Sequence, residues 1–468
     1  MTGITRTLAE FIAGLTYCDL PDDVARRAKL LIFDTIGIAL RARWDAASTD
    51  SLIRAVDRLG MRGETATVIG DSHRYTAAGA ALINGALAHS LDFDDTHARG
   101  SIHASAPIVP AALAVAEEVG ANGKQVIAAV VAGYEIQIRL SLALGPSDHY
   151  NRGFHPTATC GAFGAAAAAS RIMGLSADQI DSAFGICLSQ TAGSMQFLHD
   201  GAWTKRSHVG HAAMCGLVAA TLAAEGYVGP SEAFEGRAGF FRSHAPNPEP
   251  TRAAAGLGEV WETMEIAVKP YPSCRYGHAP IDGLIALREE YGIKPHEIEK
   301  VKVGLSKTGL DIIGEPLADK QKPISIVDGQ FSLPFVAAAA LIEGGLGWDD
   351  YETLLANDNH KALWPKVEAV VDPEVEAEFP DNMAARVQVA TKDGVFEKYI
   401  QSPRGEPDNF MTEDELRWKF EGLVSPFLDT HTMAAFADGM LSLEEAEDIR
   451  ALLIMSAGQS PVCALAGA

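Results

Sequence analysis

Gly153-Phe154-His155-Pro156-Thr157-Ala158-Thr159 runs straight into residues 161–170, a stretch made almost wholly of small side chains. This reads as a loop ending in an exposed histidine, followed by a helix that starts at Pro156. Proline suits the first helical position because its missing N–H would be unpaired there anyway. A helix rich in Ala and Gly allows close backbone approach and suits a densely packed helical core. His155 then lies at the positive end of a helix dipole, a place that attracts anions and favours a neutral imidazole. Two readings of His155 stay open: a general base near pH 7 beside a bound carboxylate, or a helix cap and nothing more.

Working outward, the first half is mainly helical. Residues 26–40 begin amphipathic and end apolar, as a helix entering a core does. Residues 77–91 and 110–119 are Ala-rich helical stretches, and 126–142 follow the turn Gly120-Ala121-Asn122-Gly123. Ser176 and Gln179 form an S-x-x-Q capping box before residues 180–188, and 210–225 make another small-residue helix. Near residue 265 the pattern changes. Residues 300–306 and 385–390 alternate like half-buried strands, and Asp393-Gly394 leads into 395–400 as a β-hairpin. Helical stretches at 277–291 and 331–342 accompany them. Helix returns at Thr412-Glu413-Asp414-Glu415, a T-x-x-E capping box. The expected fold is mainly α: a helical domain from both chain ends, residues 1–265 and 404–468, with a smaller α+β lid inserted at 266–403.

The 468 residues are 47% hydrophobic, enough for a large core and two domains. No apolar run reaches membrane-spanning length without a charge, Gly or Pro interrupting it. Residues 1–20 carry Arg6, Glu10 and Asp19 and lack a signal-peptide layout. Cys18, Cys160, Cys187, Cys215, Cys274 and Cys463 are scattered without a C-x-x-C pair. That speaks against a disulfide framework, zinc or an iron–sulfur cluster, and for a cytoplasmic home. Acidic residues outnumber basic ones 61 to 38, for a formal charge of −23. Nucleic acid and anionic membranes are poor partners for such a surface. An anionic substrate therefore needs a locally basic site.

Four polar clusters are candidates. Residues 89–97 hold His89, Asp92, Asp94, Asp95, Thr96 and His97, and continue to Arg99 and His103. This run reads as a solvated acidic helix end in preference to a metal site. The second cluster is His155 with Thr157 and Thr159. The third puts Lys205 and Arg206 at a helix start with His208 and His211, either a place for an anion or a solvated turn. The fourth, residues 269–278, carries Lys269, Arg275 and His278 on a loop with two prolines, either a site loop or a domain hinge. Cys160 and Cys187 read as packing. The P-loop, G-x-G-x-x-G, H-E-x-x-H and G-x-S-x-G motifs do not occur in a fitting context.

Together these segments resemble the MmgE/PrpD family, which includes 2-methylcitrate dehydratase, cis-aconitate decarboxylase and iminodisuccinate epimerase. The resemblance is carried by residues 89–96, 153–157, Lys205 with its helix, and Tyr271-Pro272-Ser273-Cys274 with His278. It implies a helical domain plus α+β lid, a homodimer, a site between the domains, and no metal or organic cofactor. It places catalytic roles on Asp92, His103, His155, Lys205 and His278, and substrate binding on Thr96 and Lys269. Arg206 and Arg275 join the binding set as further cations. There are departures. His97 stands where many relatives have tryptophan, His103-Ala104-Ser105-Ala106 replaces His-Pro-Ser-Gly, and Phe335 takes the place of a tyrosine associated with decarboxylation. The last of these weakens the decarboxylase reading.

The leading expectation is therefore a lyase, a dehydratase first, acting on a small di- or tricarboxylate of the 2-methylcitrate or aconitate type. Cations hold the carboxylates and stabilise charge as the α-proton leaves, while histidines serve as base and acid. The alternatives are decarboxylation of a cis-aconitate-like acid, epimerisation of an amino-dicarboxylate, and a non-catalytic carboxylate binder.

Overall fold

The helix expected at Pro156 runs Pro156–Ile172, with His155 in extended backbone conformation as its cap residue. A computed structural model describes residues 3–199 and 201–458 of the chain; Cys463 lies outside them. The fold is mainly α. Two compact units form, Met1–Ile266 with Glu413–Ala468, and Ala267–Thr412.

The first unit contains helices α1 (Asp22–Asp45), α2 (Ala77–Ala88), α3 (Ser105–Val119), α4 (Gly123–Leu144), α5 (Pro156–Ile172), α6 (Ala177–Leu188) and α7 (Thr204–Ala224). Asn122 and Gln125 cap the start of α4, and Ser176 and Gln179 cap α6. By length and composition α4 and α7 are each long and apolar enough to cross a membrane; 94% of the apolar window of α4 is buried inside this unit, as expected of a core helix. Helix α7 packs against both α2 and α5, and α5 against α4. Small residues set how closely they approach. A Cβ on Gly210 of α7 would lie 2.1 Å from the Leu82 carbonyl oxygen of α2, and one on Gly216 would lie 2.5 Å from Ala166 N of α5. The backbones touch at these crossings, so the ends of α2, α5 and α7 are brought together. The segment Glu413–Val424 is tied to α1 by a buried ion pair, Lys419 Nζ to Asp34 Oδ1 at 2.7 Å.

The second unit holds α8 (His278–Tyr291), β1 (Ile298–Leu305), α9 (Leu333–Ile342), β2 (Val367–Val371), β3 (Ala385–Thr391) and β4 (Gly394–Ile400). The sheet order is β2-β1-β3-β4. β1 pairs parallel with β2, Val301 opposite Val367, and antiparallel with β3, Val303 opposite Val387. The β3–β4 hairpin closes at Thr391 opposite Gly394. Alternating side chains of β3 enter a core with Ile281, Leu284, Val303, Phe335 and Tyr351. This unit continues past residue 403, because Gly405 O accepts from Val268 N–H at 2.9 Å and Glu406 pairs with Arg275.

Candidate functional site

Four local features of the first unit converge. Helix α2 ends at His89. The following segment turns at Asp92, whose φ of 54° is left-handed, a conformation Asp tolerates better than most residues. Its carboxylate meets the Lys205 ammonium of α7 at 3.1 Å. Next, Asp94 Oδ2 lies 2.5 Å from His89 Nδ1 and 3.1 Å from His103 Nδ1, the second contact poorly aligned for a hydrogen bond. His103 is fixed from behind, as its backbone N–H donates to Thr157 Oγ1 in the first turn of α5 at 3.2 Å. The His89 ring centroid is 4.6 Å from that of His103 and 5.8 Å from that of His155, and His155 is 5.7 Å from His208 of α7. His155 is braced by its N–H donating to Gly193 O at 3.0 Å.

Burial corrects two expectations. His155 is not exposed but only 2% accessible. The acidic run is not a solvated helix end, since Asp94 and Asp95 are both buried. Asp95 Oδ1 accepts from the N–H groups of Ala104 and Ser105 at 3.1 Å each, a cap for the start of α3, and its other oxygen takes the Ser105 hydroxyl.

The electrostatics follow from burial. Burial pushes His89 down to about 4, against the pull of Asp94, and holds His155 well below the ordinary imidazole value, helped by His89 and Lys205. Both are neutral at pH 7. Burial also opposes ionisation of Asp94, but His103 and His89 outweigh it and keep Asp94 well below the usual carboxylate range. Burial raises Asp95 to about 7. Burial alone would lower Lys205, yet Asp92 and Asp94 together raise it, so its ammonium stays charged. The cluster therefore offers two neutral imidazoles, His89 and His155, and one fixed cation, Lys205, whose charge is outweighed by the carboxylates of Asp92 and Asp94.

His89, Asp94 and His103 offer ligand atoms within 4.8 Å of one another. Two ligands each 2.0–2.1 Å from a tetrahedral zinc would sit about 3.3 Å apart. The His89–Asp94 separation of 2.5 Å is shorter, and it suits a shared proton better than a metal.

The other candidates are placed as follows. The Thr96 hydroxyl, on the same segment as Asp94, is buried without a hydrogen-bond partner among the described residues. Arg206 is engaged by Ser48, Nη1 to Oγ at 2.9 Å. In the second unit, Lys269 and His278 are buried, and His278 Nε2 lies 3.3 Å from Ser273 O. Arg275 is gripped by both oxygens of Glu406, Nε to Oε1 at 2.7 Å, so its guanidinium is committed to an ion pair rather than held open for substrate. Cys160 and Cys187 are buried packing residues. The sequence places His89, Asp94 and His208 in its polar clusters but gives none of them a role of its own. The signals were present in the five-residue step from His89 to Asp94 and the three-residue step from Lys205 to His208, which share a helix face.

The MmgE/PrpD N-terminal domain matches residues 6–253 and the MmgE/PrpD C-terminal domain matches 271–445. The chain is 30% identical to the cis-aconitate decarboxylase-like protein oryM of Aspergillus oryzae, covering 97% of this chain and 98% of that protein. It is 28% identical to a cis-aconitate decarboxylase of Aspergillus terreus, covering 97% and 95%, and 27% identical to the cis-aconitate decarboxylase of Homo sapiens, covering 98% and 96%. With both halves matched and relatives aligned from end to end, the chain belongs to the MmgE/PrpD family.

Proposed function

We propose that this protein is a lyase that removes CO2 from a small unsaturated tricarboxylate of the cis-aconitate type. The observation that carries the reading is the group of buried His89, Asp94 and His155 with the partly accessible His103, beside the Lys205–Asp92 pair. Full-length similarity to proteins named cis-aconitate decarboxylase favours CO2 loss over the water loss expected first. Phe335 no longer weighs against it. The ring is wholly buried, stacked on Tyr351 at 5.2 Å between centroids, and belongs to the core of the second unit.

The chemistry needs charge and a proton. Lys205 holds a substrate carboxylate and draws charge towards itself as the reaction proceeds. The bond from the substrate methylene to its carboxylate breaks and CO2 leaves. The freed electron pair forms a new terminal C=C, and the far carbon of the old double bond takes a proton from an imidazolium. A bound polyanion supplies the negative charge that the neutral imidazoles lack, so binding favours the protonated form that this step requires.

The test is proton NMR in D2O with a panel of unsaturated, hydroxy- and amino-polycarboxylates. The expected result is CO2 release with one deuteron in the product. Loss of water without CO2 would return the dehydratase reading, and exchange with inversion alone would point to an epimerase.

A further inference from the structure

We propose that Asp94 is a positioning residue that sets which ring nitrogen of His103 is basic. The inference rests on the lyase reading for its catalytic meaning and on geometry for its substance. One oxygen, Asp94 Oδ2, lies 2.5 Å from Nδ1 of His89 and 3.1 Å from Nδ1 of His103. Asp94 is 1% accessible and ionised, so it can only accept. A neutral imidazole facing it must carry its proton on Nδ1, which leaves Nε2 as the lone-pair atom. The hydrogen bond fixes this tautomer at His89, and the charge of the same oxygen, 3.1 Å from His103 Nδ1, favours it at His103.

His89 is the inner member of the pair. Its side chain is fully buried, its Nε2 has no hydrogen-bond partner among the described residues, and its ring neighbours both His103 and His155. It spaces the other two imidazoles. His103 keeps 17% of its side chain accessible, so it is the member able to meet a substrate. The carboxylate is itself held. Lys419 Nζ donates to Phe93 O at 3.3 Å and lies 3.8 Å from the Phe93 ring centroid, which anchors the backbone one residue before Asp94. Asp95, one residue after, is pinned to the start of α3. Asp94 is therefore clamped on both sides, as an orienting group must be.

The experiment compares wild type, Asp94→Asn and Asp94→Ala by long-range nitrogen NMR on protein labelled in histidine, with kinetics on the acid found to turn over. Asp94→Asn keeps the shape of the site if the alanine variant fails to fold. In wild type, His89 and His103 should both show the Nδ1–H form. In the variants at least one should change to Nε2–H or a mixture, with kcat down on the order of 10²–10⁴-fold and KM within about threefold. Unchanged tautomers in a folded variant would overturn the proposal. So would full kcat per folded molecule with only a lower melting temperature. A wild type that turns over no acid would sink the lyase reading, and the tautomer measurement would still decide the role of Asp94.

Discussion

Replacing Gly210 by alanine should break the crossing on which the site depends. The added Cβ would lie 2.1 Å from Leu82 O and 3.0 Å from Ala86 N. A carbon–oxygen contact is comfortable at about 3.3 Å, so α2 and α7 must part by about 1 Å. Both neighbours are backbone atoms of a packed helix and cannot swing aside. Overpacking of this kind costs about 1–3 kcal/mol, and the upper end applies here. Alanine returns about 1 kcal/mol of helix propensity, leaving a net loss of about 2 kcal/mol. For a unit of this size, at about 2.1 cal/mol/K of unfolding entropy per residue, that lowers Tm by about 3 °C. The functional effect should be larger. Helix α2 carries His89 and α7 carries Lys205, and a 1 Å displacement of reacting groups costs about 10²-fold in rate. Gly422→Ala is the control: nothing lies within 4 Å of its Cβ, in the helix Glu413–Val424, and it should stabilise by up to about 1 kcal/mol. Thermal melts and turnover of both variants decide the matter. If Gly210→Ala matched Gly422→Ala in both, the crossing would not hold the site.

Three other outcomes are expected. His155→Ala and Lys205→Ala should each lower turnover on the order of 10²–10⁴-fold while the protein stays folded; near-normal kcat in both would remove them from the chemistry. The acid response should separate His89 from Asp95. His89 sits at about 4 when folded, so lowering the pH from 6.5 to 4 protonates only the unfolded chain and costs up to about 3 kcal/mol. Asp95 sits at about 7, so raising the pH from 3.8 to 7 ionises only the unfolded chain and costs up to about 4 kcal/mol. The two slopes oppose each other, and denaturant titrations of Asp95→Asn should unmask a loss of stability on the acid side that wild type lacks. Finally, a double-mutant cycle of Arg275→Ala and Glu406→Ala should show a coupling of roughly 0.5–3 kcal/mol in stability; a cycle at zero would mean that the pair carries no structural load.

Much of the scaffold was legible locally. Pro156, the Ser176–Gln179 box and Asp393-Gly394 are signals that act within a few residues, and each marks an element that forms. His155 and Lys205 were found because a helix start announces itself in sequence. What escaped depends on distant partners. Three carboxylates within four residues look solvated until His89, His103 and Ser105 close around them. Arg275 looks like a substrate cation until Glu406, 131 residues later, claims it. Phe335 looked like a lost functional hydroxyl, yet its setting of Tyr351, His360 and Trp364 is core.

Where Gly210 meets Leu82 and Gly216 meets Ala166, the helices are separated by backbone and, at most, the methyl of Ala165. Natural variation has little to trim or swap at those junctions, since any added atom pries the helices apart. Adaptation to a new acid must then be written in the connecting segments, such as residues 89–103 and 189–203, on a frame that cannot yield. Divergent members of such a lineage would keep the imidazoles in register while changing the company they keep.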